Sequence, residues 1–150
     1  MDLKNIFFNP YDYELTRQKL GSGSYGSVYI VKNKNDKKKY AAKIIDDDDF
    51  IDGNDQLKIM REAVNLSKLN HPSILKFIGI SFRSLTDFSK FNPTIITEYI
   101  RNGSLKNILN SEKKGFCSNK WTPTKKYKCL LGIVDAMRYL HEHNIIHRDL

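Results

Sequence analysis

The sequence predicts an α+β fold: a five-stranded antiparallel sheet with one helix set into it, followed by a helical segment. Three observations carry this. Short runs rich in β-branched and aromatic residues lie at Tyr13 to Leu20, Val28 to Val31, Tyr40 to Ile45, Leu75 to Phe82 and Thr94 to Tyr99, with turn-forming residues between most of them. Between the third and fourth runs, Ile59, Leu66 and Leu69 recur at helical spacing. After the fifth run the period changes, and Tyr127, Leu130, Leu131, Val134, Met137 and Leu140 line one broad helical face.

At 150 residues and 40% hydrophobic content, the chain has one domain's worth of core. No apolar run approaches the roughly 20 residues that span a bilayer, and Met1-Asp2-Leu3-Lys4 does not open a secretory signal. A cytoplasmic protein with no membrane span is expected. Cys117 and Cys129 form no CxxC pair, so they read as reduced thiols. The four histidines are not grouped with them, and no metal site is expected from these residues. The net charge of +8 invites a nucleic-acid reading. Against it, the lysines scatter apart from Lys37-Lys38-Lys39 and Lys113-Lys114, Asp46 to Asp49 opposes them, and no aromatic residues alternate with the basic ones. A nucleic-acid partner is therefore not expected. A basic protein also suits a polyphosphate ligand.

In chain order, residues 1–12 read as a lead-in, broken at Asn9-Pro10. The first strand runs into Gly21-Ser22-Gly23-Ser24-Tyr25-Gly26-Ser27-Val28. The same G-x-G-x-x-G spacing opens a helix in dinucleotide folds. Here a strand follows, so the glycines sit in a hairpin. That hairpin is either a flexible tip or a loop whose backbone N–H groups reach phosphate oxygens unobstructed by Cβ atoms. Asn33 to Lys39 reads as a surface turn. In the third strand, Ala41, Lys43 and Ile45 share one face. Lys43 either lies in water on an edge strand or points into a cleft toward phosphate, with Ala41 leaving room for a flat base.

Asp46 to Asp55 reads as an acidic loop, and Gln56 to Leu69 as a helix. Glu62 falls on the same face as Ile59, Leu66 and Leu69. It either borders the apolar stripe in water or meets Lys43. Asn70-His71-Pro72 ends the helix, and His71 reads as a turn or capping residue. Arg83 to Asn92 is a polar insertion between strands four and five. Arg101 to Ser104 breaks the pattern before a short helix, Leu105 to Asn110, and Ser111 to Thr122 reads as loose, with Trp121 in packing. Thr122-Pro123-Thr124 opens the last helix. Asn144 ends it, and Ile145-Ile146 reads as a short strand before His147-Arg148-Asp149-Leu150.

Taken together these pieces resemble a eukaryotic protein kinase from about Tyr13 onward. GSGSYGSV, AAKII, the glutamate in MREAVNLSKLNHPSILKFIG, TEYIRNGSL and HRDL occur in that family's order. HPSILKFIG and EYIRNGSL look most like the tyrosine-kinase-like serine/threonine group, with tyrosine kinases a close second. The resemblance implies residues 13–100 as the sheet lobe and hinge, with the helix that the family calls αC. It implies residues 101–150 as the start of the helical lobe, with its first two helices, αD and αE, and the fold cut short at HRD. ATP with Mg²⁺ is the implied cofactor and a protein hydroxyl the implied substrate.

The family's roles carry over position by position. Gly21, Ser22, Gly23, Ser24, Tyr25 and Gly26 would cover the ATP phosphates, Leu20 would bind the cofactor beside them, and Val28 and Ala41 would pack on adenine. Lys43 would bind the α- and β-phosphates, held by Glu62. Thr97 would stand behind the base, Glu98 and Ile100 would bond it through their backbones, and Ser104 would contact ribose. Leu66, one turn beyond Glu62, would couple the helix to His147. Asp149 would take the substrate's hydroxyl proton. The asparagine and the DFG aspartate that hold Mg²⁺ in the family would fall past Leu150, so no metal ligand is assigned here. A whole domain of this kind is about 250 residues. The 150-residue piece is therefore expected to bind ATP without transferring phosphate, and the last helix is expected to leave apolar surface uncovered. The alternative is a non-catalytic nucleotide-binding scaffold, which has no chemical need for Asp149.

Overall fold

The chain reverses where its turn residues fall, and the result is a five-stranded antiparallel sheet with three helices. The computed structural model describes residues 6–23, 26–45, 53–116 and 121–147. After a 3-10 turn (Pro10–Asp12), the strands are β1 (Tyr13–Gly23), β2 (Gly26–Asn33), β3 (Lys39–Ile44), β4 (Phe77–Arg83) and β5 (Phe91–Glu98). The helices are α1 (Gly53–Ser67), α2 (Leu105–Lys113) and α3 (Pro123–Glu142). The sheet order is β1-β2-β3-β5-β4, antiparallel throughout. Contacts group the chain into two compact units, residues 1–70 with 75–99, and residues 71–74 with 100–150.

In the first unit both faces of the sheet are covered. On one face, Ile45, Ile80 and Ile95 pack with Ile59 and Ala63 of α1 and with Ile6. On the other, Tyr13, Val31, Ala42, Ile96 and Leu85 form a second cluster, with Phe8 and Tyr40 against it. The alternation of Ala42 and Ile44 with Ala41, Lys43 and Ile45 sorts β3 between these faces. Two strands depart by three residues from an expected end, for local reasons. β1 continues through Gly21 to Gly23 because these residues stay in register with Val28, Ser27 and Gly26. Its register shifts between Leu15 and Gly21, and beside that irregularity the Thr16 hydroxyl donates to the Ile30 carbonyl at 2.7 Å. β5 starts at Phe91, not Thr94. It contains Pro93 opposite Ile45; the Pro93 carbonyl accepts from the Ile45 N–H at 2.9 Å, and the ring has no N–H to return that bond. In the β4–β5 connection the Ser84 hydroxyl accepts from the backbone N–H groups of Thr86 and Asp87, and this turn tucks Leu85 into the core.

In the second unit α2 extends to Lys113, beyond the expected Asn110. Within this extra turn the Ser111 hydroxyl donates to the Asn107 carbonyl at 3.0 Å, so the side chain bonds back along the helix. Glu112 accepts from the Trp121 indole at 3.2 Å and from Lys126, which fastens α2 to the start of α3. These two bonds, the lysine's first, hold the Glu112 carboxyl below the usual carboxylate range. His71 belongs to this unit. Its Nδ1 accepts from the Ser73 N–H at 3.2 Å, which leaves Nε2 as the donor to Asp135 of α3 at 3.0 Å. Arg138, and to a lesser degree His71, keep the Asp135 carboxyl lowered.

The expected strand at Ile145-Ile146 does not form. Asn144 takes a left-handed φ of 58°, its N–H bonds the His141 carbonyl, and the Ile145 N–H bonds the Leu140 carbonyl. That pair of bonds is a Schellman closure. It commits the N–H of Ile145 to the helix end instead of a ladder. No described helix is long and apolar enough to cross a membrane.

Candidate functional site

In the first unit, four sequence-selected residues share one sheet face. Val28 stands opposite Lys43 in the β2–β3 register, and Ala41 stands opposite Thr97 in the β3–β5 register. Cross-strand partners point the same way, and so do residues two apart. The strip therefore offers a small side chain at Ala41, a hydroxyl at Thr97 and an ammonium at Lys43. All four are half-buried.

Lys43 does not end in water alone. Its Nζ lies 3.6 Å from Oε1 of Glu62, which α1 presents toward the strand. The side chains are 38% and 48% exposed. Ion pairs this open contribute about 0.2–1 kcal/mol, far too little to be what holds α1 to the sheet. Burial of Ile59 and Ala63 beside Glu62 does that. The pair's effect is to fix where a positive charge stands. Glu62 itself is exposed. It thus borders the apolar stripe and reaches Lys43 as well, and the two sequence alternatives were not exclusive.

The glycines divide by role. A Cβ on Gly26 would meet the Ile44 carbonyl oxygen at 2.1 Å, and its φ is +119°, so the fold itself requires glycine there. A Cβ on Gly21 or Gly23 would meet nothing within 4 Å. Glycine at these two positions has no packing cause, and no side chain stands over the backbone there. Ser22 between them is exposed, as is Leu20 at the base of the loop. Ser24 and Tyr25 lie outside the described residues.

Glu98 is tied down twice. Its N–H donates to the Lys76 carbonyl at 2.9 Å, and its Oε1 accepts from the Lys76 N–H at 2.8 Å. The sequence reading assigned Glu98 only backbone work and missed this carboxylate clamp, for which the sequence carries no signal. Ile100 and Ser104 fall in the second unit. The Ile100 carbonyl accepts from the Gly103 N–H at 3.4 Å. The Ser104 hydroxyl caps α2 by accepting from the Asn107 N–H at 3.2 Å. Leu66 packs against the α1-side core. Asp149 lies outside the described residues. The described residues contain no group of three or more His, Cys, Asp or Glu able to hold a metal.

An ammonium held by a carboxylate, in the same sheet as a glycine hairpin, suits a phosphate-bearing ligand, which Lys meets as a point charge. Known proteins of similar sequence agree in kind. The chain is 30% identical over 139 residues to the Aurora kinase of Yarrowia lipolytica, covering 93% of this chain and 34% of that protein. It is 32% identical over 133 residues to the human cytoplasmic tyrosine-protein kinase BMX, covering 89% of this chain and 17% of that one. It is 34% identical over 137 residues to the human serine/threonine-protein kinase Nek11, covering 89% and 20%. The chain thus spans about a third or less of the length of these relatives. The family model for the protein kinase domain matches residues 14–150. With the glycine hairpin, the strand lysine and the helix glutamate in one unit, and this match running from β1 to Leu150, the chain belongs to the protein kinase family.

Proposed function

We propose that the chain binds ATP and belongs to an enzyme that passes the γ-phosphoryl group to a protein hydroxyl, serine or threonine first, as in the tyrosine-kinase-like group. The observation that carries this is the Lys43–Glu62 contact at 3.6 Å on the face that also bears Val28, Ala41 and Thr97. In this reading residues 13–100 are the nucleotide-holding lobe and hinge, and residues 101–150 begin the second lobe. Lys43 neutralises α- and β-phosphate charge while Glu62 holds its ammonium in place. Gly21 to Gly26 close over the phosphates, Leu20 contacts the nucleotide, and Val28 and Ala41 pack on adenine. The backbones of Glu98 and Ile100 bond the base behind Thr97, and Ser104 contacts the ribose. Asp149 accepts the hydroxyl proton. Mg²⁺, when bound with ATP, would neutralise phosphate charge. None of residues 1–150 is assigned to hold it, so these residues alone are expected to bind nucleotide without turning it over. The exposed thiol of Cys129 suits a reducing, cytoplasmic setting.

The test is ATP-dependent thermal stabilisation of the 150-residue chain. A ligand at one hundred times its Kd adds about 2.7 kcal/mol of stability, a shift of several degrees. Lys43→Met is expected to abolish it and Glu62→Gln to weaken it. A wild-type chain that melts at the same temperature with and without millimolar ATP would overturn the reading.

A further inference from the structure

The family match begins at residue 14, yet the segment before it is built into the core. Ile6 is 3% exposed and shares a cluster with Ile59 and Ala63, the residues that seat α1, the Glu62 helix. Phe7 bridges Ile80 in parallel, and the Phe8 N–H donates to the Ile80 carbonyl at 3.1 Å. The segment thus runs beside β4, the outermost strand on that side; residues two apart in a regular strand would share a face, but here the backbone is irregular, and Ile6 joins the α1-face cluster while Phe8 packs against the opposite one. Gly79 admits it: a Cβ there would stand 3.1 Å from the Ile6 carbonyl oxygen and 3.2 Å from the Phe8 Cβ. Beyond, Phe8 meets Tyr13 edge-on with ring centroids 5.1 Å apart, Tyr11 lies 4.0 Å from Phe88, and Pro10 is buried. The segment is held at both ends, and a wedge from it enters beneath the helix.

We propose that residues 6–13 are a brace for α1, and that Ile6 is a positioning residue for the Lys43–Glu62 pair. Its apolar bulk fixes the seat of Ile59 and Ala63. Through that seat it fixes the height of Glu62 above Lys43. The structural half of this stands on packing alone, and only its effect on nucleotide rests on the kinase reading above.

Two measurements on the 150-residue chain test it. The first is amide hydrogen exchange. Ile6→Ala is expected to speed exchange across α1 at least tenfold while leaving β2 and β3 near wild type. Leu85→Ala, an equally buried truncation in the opposite cluster, is expected to spare α1. Equal acceleration in the two variants, or none in α1, overturns the brace. Should Ile6→Ala fail to fold, Ile6→Val carries the same comparison with a smaller expected change.

The second is nucleotide affinity in a double-mutant cycle. Ile6→Ala is expected to weaken ATP binding about fivefold, which corresponds to about 1 kcal/mol, and Ile6→Leu is expected to restore most of it. In a Glu62→Gln background the same truncation is expected to have no further effect. Additive losses would show that Ile6 acts on general stability and not through Glu62. A wild-type chain that binds no ATP would overturn the functional reading, and the exchange comparison would still decide the brace.

Discussion

Gly26 and Gly23 stand three positions apart in one loop and answer to different constraints. At Gly26 the neighbour is the immovable carbonyl of Ile44, and the backbone is left-handed. Gly26→Ala is expected to cost at least about 2 kcal/mol in urea unfolding, from strain and overlap together. Gly23→Ala is expected to leave the unfolding midpoint nearly unchanged and to lower ATP affinity. The opposite ranking would remove the ligand-facing role from Gly23. A second residue-scale feature is the bond that the Tyr40 hydroxyl donates to Asp36 at 2.6 Å. It pushes the Tyr40 phenol up to about 12 and Asp36 down. A phenol raised in the fold contributes stability that is complete below its ordinary value near 10 and is lost as pH rises through about 12. The lowered carboxyl contributes stability that is present above its ordinary range and lost as pH falls through its depressed value. Phenolate absorbance should show a late-ionising tyrosine that disappears in Tyr40→Phe and ionises earlier in Asp36→Asn. An unchanged titration in both variants would show that the bond does not persist in solution.

Among the elements, α1 shows how packing sets geometry. Ala63 is fully buried, so its small size sets how closely the helix approaches the sheet. Ala63→Leu is expected to cost about 1–3 kcal/mol by overpacking and to weaken ATP binding by lifting Glu62 from Lys43. Unfolding and affinity measured on one preparation check both, and unaltered affinity would separate the two effects. The elements were also what the sequence displayed best. Strand runs and helical periods placed all five strands, α1 and α3, because burial on a sheet or helix face leaves a period in the residues themselves; α2, which buries no residue, was placed by the break at Arg101 to Ser104. Lys43 and Glu62 were legible for a related reason: each is a charge placed inside an apolar pattern. Residues that act through a backbone bond to a distant segment left no such mark. The Glu98 clamp on Lys76 and the withdrawal of Ile145 into the α3 cap are of this kind. Ile6-Phe7-Phe8 was passed over within the lead-in, because its use depends on β4 being outermost, which emerges only from the strand order.

At the scale of the whole molecule, apolar surface is distributed unevenly. Along α3, Tyr127, Leu130, Leu131 and Val134 are 50–63% exposed, and Phe116 and Ile146 are more open still. A contiguous patch of this kind favours association. Residues 1–150 on their own are expected to bind a hydrophobic dye and to sediment partly as oligomers, and Leu130→Lys with Val134→Glu should reduce both. A strictly monomeric wild-type chain with no dye binding would contradict this.

The strand-like seat of Phe7 beside Ile80 bears on where this polypeptide can be trimmed. A recombinant version begun at Tyr13, a natural choice from the family boundary, would strip the outer flank of β4 and expose the Ile80 carbonyl that Phe8 now engages. Bare ladder edges recruit other chains. Such a shortened protein would gain a route to intermolecular β-pairing in the same cut that empties the space under α1.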